Sequence, residues 1–174
     1  MASEGVKMDV RVKVKDPERL IPPLLSLLDE TPSVPLVISG GSMTPFLVHG
    51  RDVVYLSKPA PDKPPKRGDM ILYRRDNGAY VLHRVLRVER GLYTMLGDAQ
   101  TCPERGIRPD QVLAVVDHVI RKGVILHRGS LVWSFFEGAW LWVVPLRPVL
   151  VRGYDIIKKI IKGVYSPKEF YEGQ

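Results

Sequence analysis

The chain has 174 residues, 45% of them hydrophobic, with 26 Lys and Arg against 19 Asp and Glu, a net charge of +7 and a pI near 9.6. That length holds one well-buried domain with an appended element and is too short for two ordinary ones. The charge biases the chain towards anionic partners such as acidic peptides, nucleic acid or lipid headgroups. Cys102 is the only cysteine, which excludes a disulfide framework and a Cys-based zinc site and permits a reducing compartment. Met1 to Val10 carries charge and has no apolar segment ending at small residues, so no secretory signal is expected and the expected location is cytoplasmic.

In chain order, Val10, Val12 and Val14 alternate with Arg11, Lys13 and Lys15, the period-two pattern of a short edge strand. Asp16-Pro17-Glu18 then reads as a helix start, with Asp16 as cap and Pro17 at the first helical position, ahead of Leu20, Ile21, Leu24, Leu25, Leu27 and Leu28. Strands are expected at Val34–Ile38, Asp52–Ser57, Asp69–Arg75, Tyr80–Val88, Leu92–Leu96 and Val112–Ile120. Asn77-Gly78 between two β-rich runs marks a hairpin, while the proline-rich stretch 58–66 must be a loop because proline cannot donate to a ladder. Gly97 to Gly106 also reads as a loop. Many short strands between turn signals predict a mainly β, antiparallel, partly closed sheet. A short N-terminal helix would precede it, and the chain would divide into segments 1–33, 34–130 and 131–174.

Beyond residue 130 the chain is apolar and rich in tryptophan. Leu131–Val144 is shorter than the roughly 20 residues a helix needs to span a bilayer, and Glu137, Pro145 and Arg147 interrupt the region. Two readings stay open. Trp133, Phe136, Trp140 and Trp142 pack on the β domain or on another subunit, or residues 131–165 make peripheral contact with a membrane interface. From Gly153 to Tyr165, Ile156, Ile157, Ile160 and Ile161 set against Lys158, Lys159 and Lys162 predict an amphipathic helix with a basic face.

The chemistry-bearing stretch is Ser39-Gly-Gly-Ser-Met-Thr-Pro-Phe-Leu47. A strand feeds two glycines and then Ser42, and Pro45 prevents a regular helix from running through the turn. An exposed serine on a rigid corner suits a nucleophile, but a hydroxyl needs a base from elsewhere. A plain Gly-Ser turn between strands fits the same local composition.

Four blocks in order resolve that choice: Ser39–Leu47 with Gly50-Arg-Asp-Val-Val54, Arg67-Gly-Asp-Met-Ile71, Val81-Leu-His-Arg-Val85 and Leu96-Gly-Asp-Ala99. Together they resemble the signal peptidase I and LexA-like superfamily of serine peptidases, and His83 at the base position resembles its serine-histidine branch. The resemblance implies a LexA/signal-peptidase-like β fold, with Ser42 as nucleophile and His83 as general base. A neutral imidazole near its ordinary pKa of about 6.5 accepts the serine proton without the desolvation that a lysine base requires. The branch also implies an acidic group that orients the histidine. Glu104 falls at the matching position, with Asp98 of the Gly-Asp block as the second candidate.

Where the family commonly has Ser-Gly-Ser-Met, this chain has Ser39-Gly-Gly-Ser-Met43, so Gly41 stands where some members place an oxyanion-binding hydroxyl. The oxyanion would then rest on backbone N–H groups, chiefly that of Ser42, unless Ser39 swings in. Met43 and Phe46 read equally as walls of a substrate groove or as core. His49, His118 and His127 lack carboxylates or cysteines at ligand spacing, so neither metal nor cofactor is expected. Lys58, Lys63 and Lys66 lie off the strand that carries His83 and are not expected to serve as a LexA-like base.

The implied activity is signal-peptidase-like endopeptidase cleavage of a precursor, leader or signal peptide through an acyl-enzyme, with the peptide bound as an added strand. Two other readings remain. One is a peptide-binding module of the same fold without useful catalysis. The other is a LexA-like self-cleaving regulator, which should carry a DNA-binding helix-turn-helix where residues 1–33 offer one helix, so no nucleic acid partner is expected.

Overall fold

The computed structural model describes residues 17–157 except 148, 151, 154 and 155. The expected strand Val10–Val14 lies outside them, as does most of the expected amphipathic helix Gly153–Tyr165. Helix α1, Pro17–Leu27, begins where the Asp16-Pro17 signal places it and buries Ile21. Leu20, Leu24 and Leu25 pack beside it against the core. Both internal prolines, Pro22 and Pro23, are the sixth and seventh of its eleven residues, so each removes an N–H from the middle of the helical ladder.

Eight strands follow: β1 Val34–Val37, β2 Val53–Ser57, β3 Met70–Arg74, β4 Tyr80–Glu89, β5 Leu92–Leu96, β6 Glu104–Ile107, β7 Val112–Arg121 and β8 Val124–His127. All pair antiparallel in one open sheet of order β1-β2-β7-β3-β4-β5-β6, with β8 also on β7. The fold is therefore mainly β, with a short N-terminal helix and helices after the sheet. Two of its hairpins turn on residue pairs with positive φ, Arg90-Gly91 at 51° and 75° and Lys122-Gly123 at 52° and 80°. Such turns match the right-handed twist of the flanking strands.

Strand β7 is the branch point. Val112 to Val115 pair with β3, Val115 to Ile120 pair with β2, and His118 to Arg121 pair with β8. Since a strand edge takes one partner at a time, β3 and β8 share one edge of β7 and β2 holds the other. Strand β3 lies deepest, buried on both faces. Met70 and Leu72 join a large core with Val54, Leu56 and Val116, while Ile71 and Tyr73 join a second cluster with Val85, Tyr93, Met95 and Ile107. Burial on both sides explains why Met70–Tyr73 reads as an unbroken apolar run.

The chain after the sheet belongs to the same core. Helix α2, Leu131–Glu137, starts at Ser130, whose hydroxyl accepts the Trp133 N–H, and α3 spans Ala139–Trp142. Trp133, Phe136 and Trp140 are buried in the large core, and Trp133 and Phe136 lie against the ring of Phe46 at centroid distances of 5.8 and 4.9 Å. Ile21, Phe46 and Trp133 come from the three segments expected at 1–33, 34–130 and 131–174, so those boundaries cut through one core. Leu131 and Trp142, by contrast, are 91% and 74% exposed. No helix among the described residues is long and apolar enough to cross a membrane.

Candidate active site

The segment between β1 and β2 leaves the sheet and is tied at its base. Ile38 donates to the Asp52 carbonyl at 2.9 Å and accepts from Gly50 at 2.8 Å. The buried Asp52 carboxylate takes the Val48 N–H at 2.8 Å and is held by Arg51. At the outer end, Gly40 adopts a φ of 82° and donates its N–H to His49 Nδ1 at 3.1 Å. Thr44 and Leu47 N–H groups close local turns on Gly41 and Met43 carbonyls. Among the described residues, the N–H groups of Gly41, Ser42 and Met43 donate to no protein acceptor. Backbone N–H groups without a protein acceptor beside a serine are the kind of donor that an oxyanion requires.

His83 lies on β4 opposite Ile71, so it shares a sheet face with Ile71, Tyr73 and Val85. The registers Val85 to Met95 and Met95 to Glu104 carry that face across β5 to β6. Three polar side chains thus converge on one apolar surface. Tyr73 Oη lies 3.3 Å from His83 Nδ1 and donates to Glu104 Oε2 at 2.6 Å. Arg75 forks onto Glu104, with Nε at 2.8 Å from Oε1 and Nη2 at 2.6 Å from Oε2.

Burial holds the His83 pKa at about 4, below its ordinary 6.5; the negative Glu104 opposes this and the positive Arg75 adds to it. His83 is therefore neutral at neutral pH, as a base must be. For Glu104, burial pushes the pKa up, but hydrogen bonds from Arg75 and Tyr73 and the Arg75 charge outweigh it, so its carboxyl lies below the usual range. The Tyr73 phenol is pushed well up, first by burial and then by Glu104, and stays protonated.

The Ser42 turn and the His83 strand meet at Gly97. A Cβ built there would stand 2.6 Å from the Ser42 carbonyl oxygen and 3.1 Å from His83 Nε2. The first is closer than a real Cβ comes to a backbone atom, so glycine is required there. The Ser42 carbonyl accepts the Ala99 N–H at 2.8 Å, binding the turn to the loop after β5. Ser42 and His83 line one cleft of about 360 Å³, together with Ser39, Met43, Leu82 and Gln100. No hydrogen bond joins the Ser42 hydroxyl to His83 among the described residues.

The loop 97–100 is braced from below. Arg84 donates Nε and Nη2 to the two Asp98 carboxylate oxygens at 3.0 and 2.9 Å, and both side chains are fully buried. Arg147 Nη1 donates to the Gly97 and Gln100 carbonyls at 2.9 and 3.1 Å, and Trp140 Nε1 to the Asp98 carbonyl at 2.9 Å.

Several expectations need correction. Asp98 does not orient His83, because Arg84 occupies both of its oxygens. Glu104 reaches His83 only through the Tyr73 hydroxyl. Phe46 is no groove wall but a fully buried core ring, with Arg84 over its face at 5.1 Å, whereas Met43 is both core and cleft wall. Ser39 lines the cleft near Ser42; Gly41 is exposed and contributes its N–H. His49 supports the serine turn, and His118 stacks on Tyr55 at 4.2 Å beside His127. Tyr73, Gly97 and Arg147 were not singled out from sequence. Only strand register reveals Tyr73, while the Gly-Asp pair was a visible signal for Gly97. No family model matches the chain, and no curated protein or solved structure matches it.

Proposed function

We propose that the chain is a signal-peptidase-like serine endopeptidase with Ser42 as nucleophile and His83 as general base. The observation that carries this reading is the meeting of the Ser42 turn and His83 Nε2 against Gly97, in one cleft. A neutral His83 takes the Ser42 proton as the hydroxyl attacks a peptide carbonyl, and the resulting oxyanion faces the free N–H groups of Gly41, Ser42 and Met43. The imidazolium then protonates the leaving amine, and water, deprotonated in turn by His83, releases the acyl group. The Ser42 hydroxyl and His83 make no hydrogen bond here, and catalytic hydrogen bonds are commonly long before substrate binds.

A serine-reactive phosphonate tests this directly. Wild-type protein should be labelled covalently, and Ser42→Ala and His83→Ala should lose the label. Equal labelling of all three proteins overturns the reading. The unmade Ser42 to His83 bond favours one competitor, a peptide-binding module of the same fold. That module would hold a peptide in the cleft yet leave the phosphonate unreacted in wild type. Peripheral membrane contact is a separate proposal, supported by the exposure of Leu131, Phe135, Trp142 and Leu146 and by Arg67 lying over Trp142. Co-sedimentation with anionic liposomes should fall for a Leu131→Glu, Trp142→Glu double variant. Equal sedimentation removes that proposal.

A further inference from the structure

Among the described residues, Tyr73 is the one group hydrogen-bonded to both His83 and the Glu104–Arg75 pair, and its single proton decides what it can do for each. The Tyr73 to Glu104 contact is short at 2.6 Å, and the Tyr73 to His83 contact is longer at 3.3 Å. Glu104 also takes the fork of Arg75 on both oxygens, which keeps it an ionised carboxylate that can only accept. The phenolic proton must therefore point at Glu104. Its oxygen is left to face His83 Nδ1 as an acceptor, and the only proton available for that bond is one on Nδ1 itself. An imidazole that carries its proton on Nδ1 has its lone pair on Nε2. That nitrogen is the one that lies against Gly97 and the Ser42 turn.

We infer that Tyr73, oriented by the Glu104–Arg75 pair, is a positioning residue that locks His83 in the Nδ1–H tautomer and so reserves Nε2 for Ser42. The inference rests on the serine peptidase reading for its consequence, but not for its geometry. It replaces a direct carboxylate-histidine contact with a three-member chain, Glu104 to Tyr73 to His83. When His83 accepts the Ser42 proton at Nε2, both ring nitrogens carry hydrogen. The Nδ1–H stays on the ring and donates to Tyr73 Oη, while the Tyr73 proton stays on the phenol and donates to Glu104. No proton leaves the chain, and the negative carboxylate two bonds away offsets the positive charge that develops on the ring. The register of three strands makes the arrangement, since Tyr73, His83 and Glu104 lie on one face of β3, β4 and β6.

Nitrogen NMR of the full chain carrying ring-labelled histidine tests the lock without any substrate, His83 being assigned by its loss in His83→Gln. At neutral pH, wild-type His83 should show a protonated Nδ1 and an unprotonated Nε2, the reverse of the tautomer that free histidine favours. Tyr73→Phe removes the acceptor with little change of shape and should return His83 to the Nε2–H form. Glu104→Leu leaves the tyrosine in place but frees its proton to point at Nδ1, so it should flip the ring as well, whereas Glu104→Gln still accepts from the phenol and should keep the wild-type tautomer. A merely structural tyrosine would not produce that pattern.

Phosphonate labelling of Ser42 should slow about ten- to a hundredfold in Tyr73→Phe, part of the roughly hundred- to ten-thousandfold that a positioned acid-base group supplies. An Nε2–H His83 in the wild type, or a tautomer indifferent to Tyr73→Phe, overturns the lock even if Ser42 labels normally. Failure of wild-type labelling with the tautomer pattern intact overturns the peptidase reading and leaves the lock standing.

Discussion

Two arginine-carboxylate pairs flank His83 and do different work. Arg84–Asp98 is fully buried and touches the loop that carries Gly97; Arg75–Glu104 is partly open, with the two side chains 37% and 27% exposed, and touches the histidine through Tyr73. The first pair is a construction element, because a buried charge left without its partner is expensive. The second is exposed enough that water screens its contribution to stability, yet its carboxylate accepts the Tyr73 hydroxyl that stands beside His83. Burial thus separates two acidic groups that resemblance alone ranks as competing candidates for one role.

The sharpest way to break the comparison is to remove each carboxylate in turn. Asp98→Ala should destabilise the fold by about 3–5 kcal/mol, since it strands Arg84 in the core, and thermal unfolding should show it. Glu104→Gln should shift stability by no more than about 1 kcal/mol, with its effect appearing in Ser42 labelling. Similar losses of melting temperature in the two variants would erase the distinction.

Histidine burial sets the next effect. Because the folded pKa of about 4 lies below the unfolded 6.5, the unfolded chain binds more protons between those values. Stability from this group is therefore complete above about pH 6.5 and is lost as pH falls towards 4, amounting to about 3 kcal/mol by the size of the shift. Melting temperatures of wild type and His83→Gln across that window should converge at low pH. A constant difference would show that His83 is not held neutral by its surroundings. The same pKa predicts that phosphonate labelling is half-maximal near pH 4 instead of near 6.5.

Gly97→Ala is a milder change in mass with a local outcome. Its methyl would collide with the Ser42 carbonyl, a backbone atom, at a stability cost of about 1–3 kcal/mol. Labelling of Ser42 should fall sharply, because the turn or the histidine must give way. Full labelling in this variant would separate the two elements that the site needs together.

Much of this site was legible before any coordinates. The Asn77-Gly78 hairpin, the glycine-led Ser42 turn and the His83 strand all follow from turn chemistry and β-rich runs, and they carry the proposed nucleophile and base. What the residues could not reveal depends on pairing. Glu104-Arg-Gly-Ile107 looks like loop because it is polar and contains glycine, and it becomes β6 only by hydrogen bonding to β5. Val124–His127 becomes β8 through the Lys122-Gly123 turn, a step without the Asn-Gly or Asp-Gly signature. Tyr73 reads as an ordinary strand aromatic until register sets it diagonally across from His83. Asp98 and Glu104 could be told apart only by which arginine stood beside each.

The contacts of Arg147 bear on the order in which the protein is made. Its guanidinium ties the Gly97 and Gln100 carbonyls from 50 and 47 residues further along the chain, while Trp140, 42 residues on from Asp98, ties the carbonyl between them. A chain emerging from the ribosome has completed all eight strands before either group arrives, and domains generally consolidate as units once their last core element is present. Synthesis past residue 147 thus completes the bracing of the loop beside Ser42, so a nascent chain stalled at residue 130 would display the Ser42 turn with that loop held by Arg84 and the Ala99 N–H but without the Trp140 and Arg147 ties.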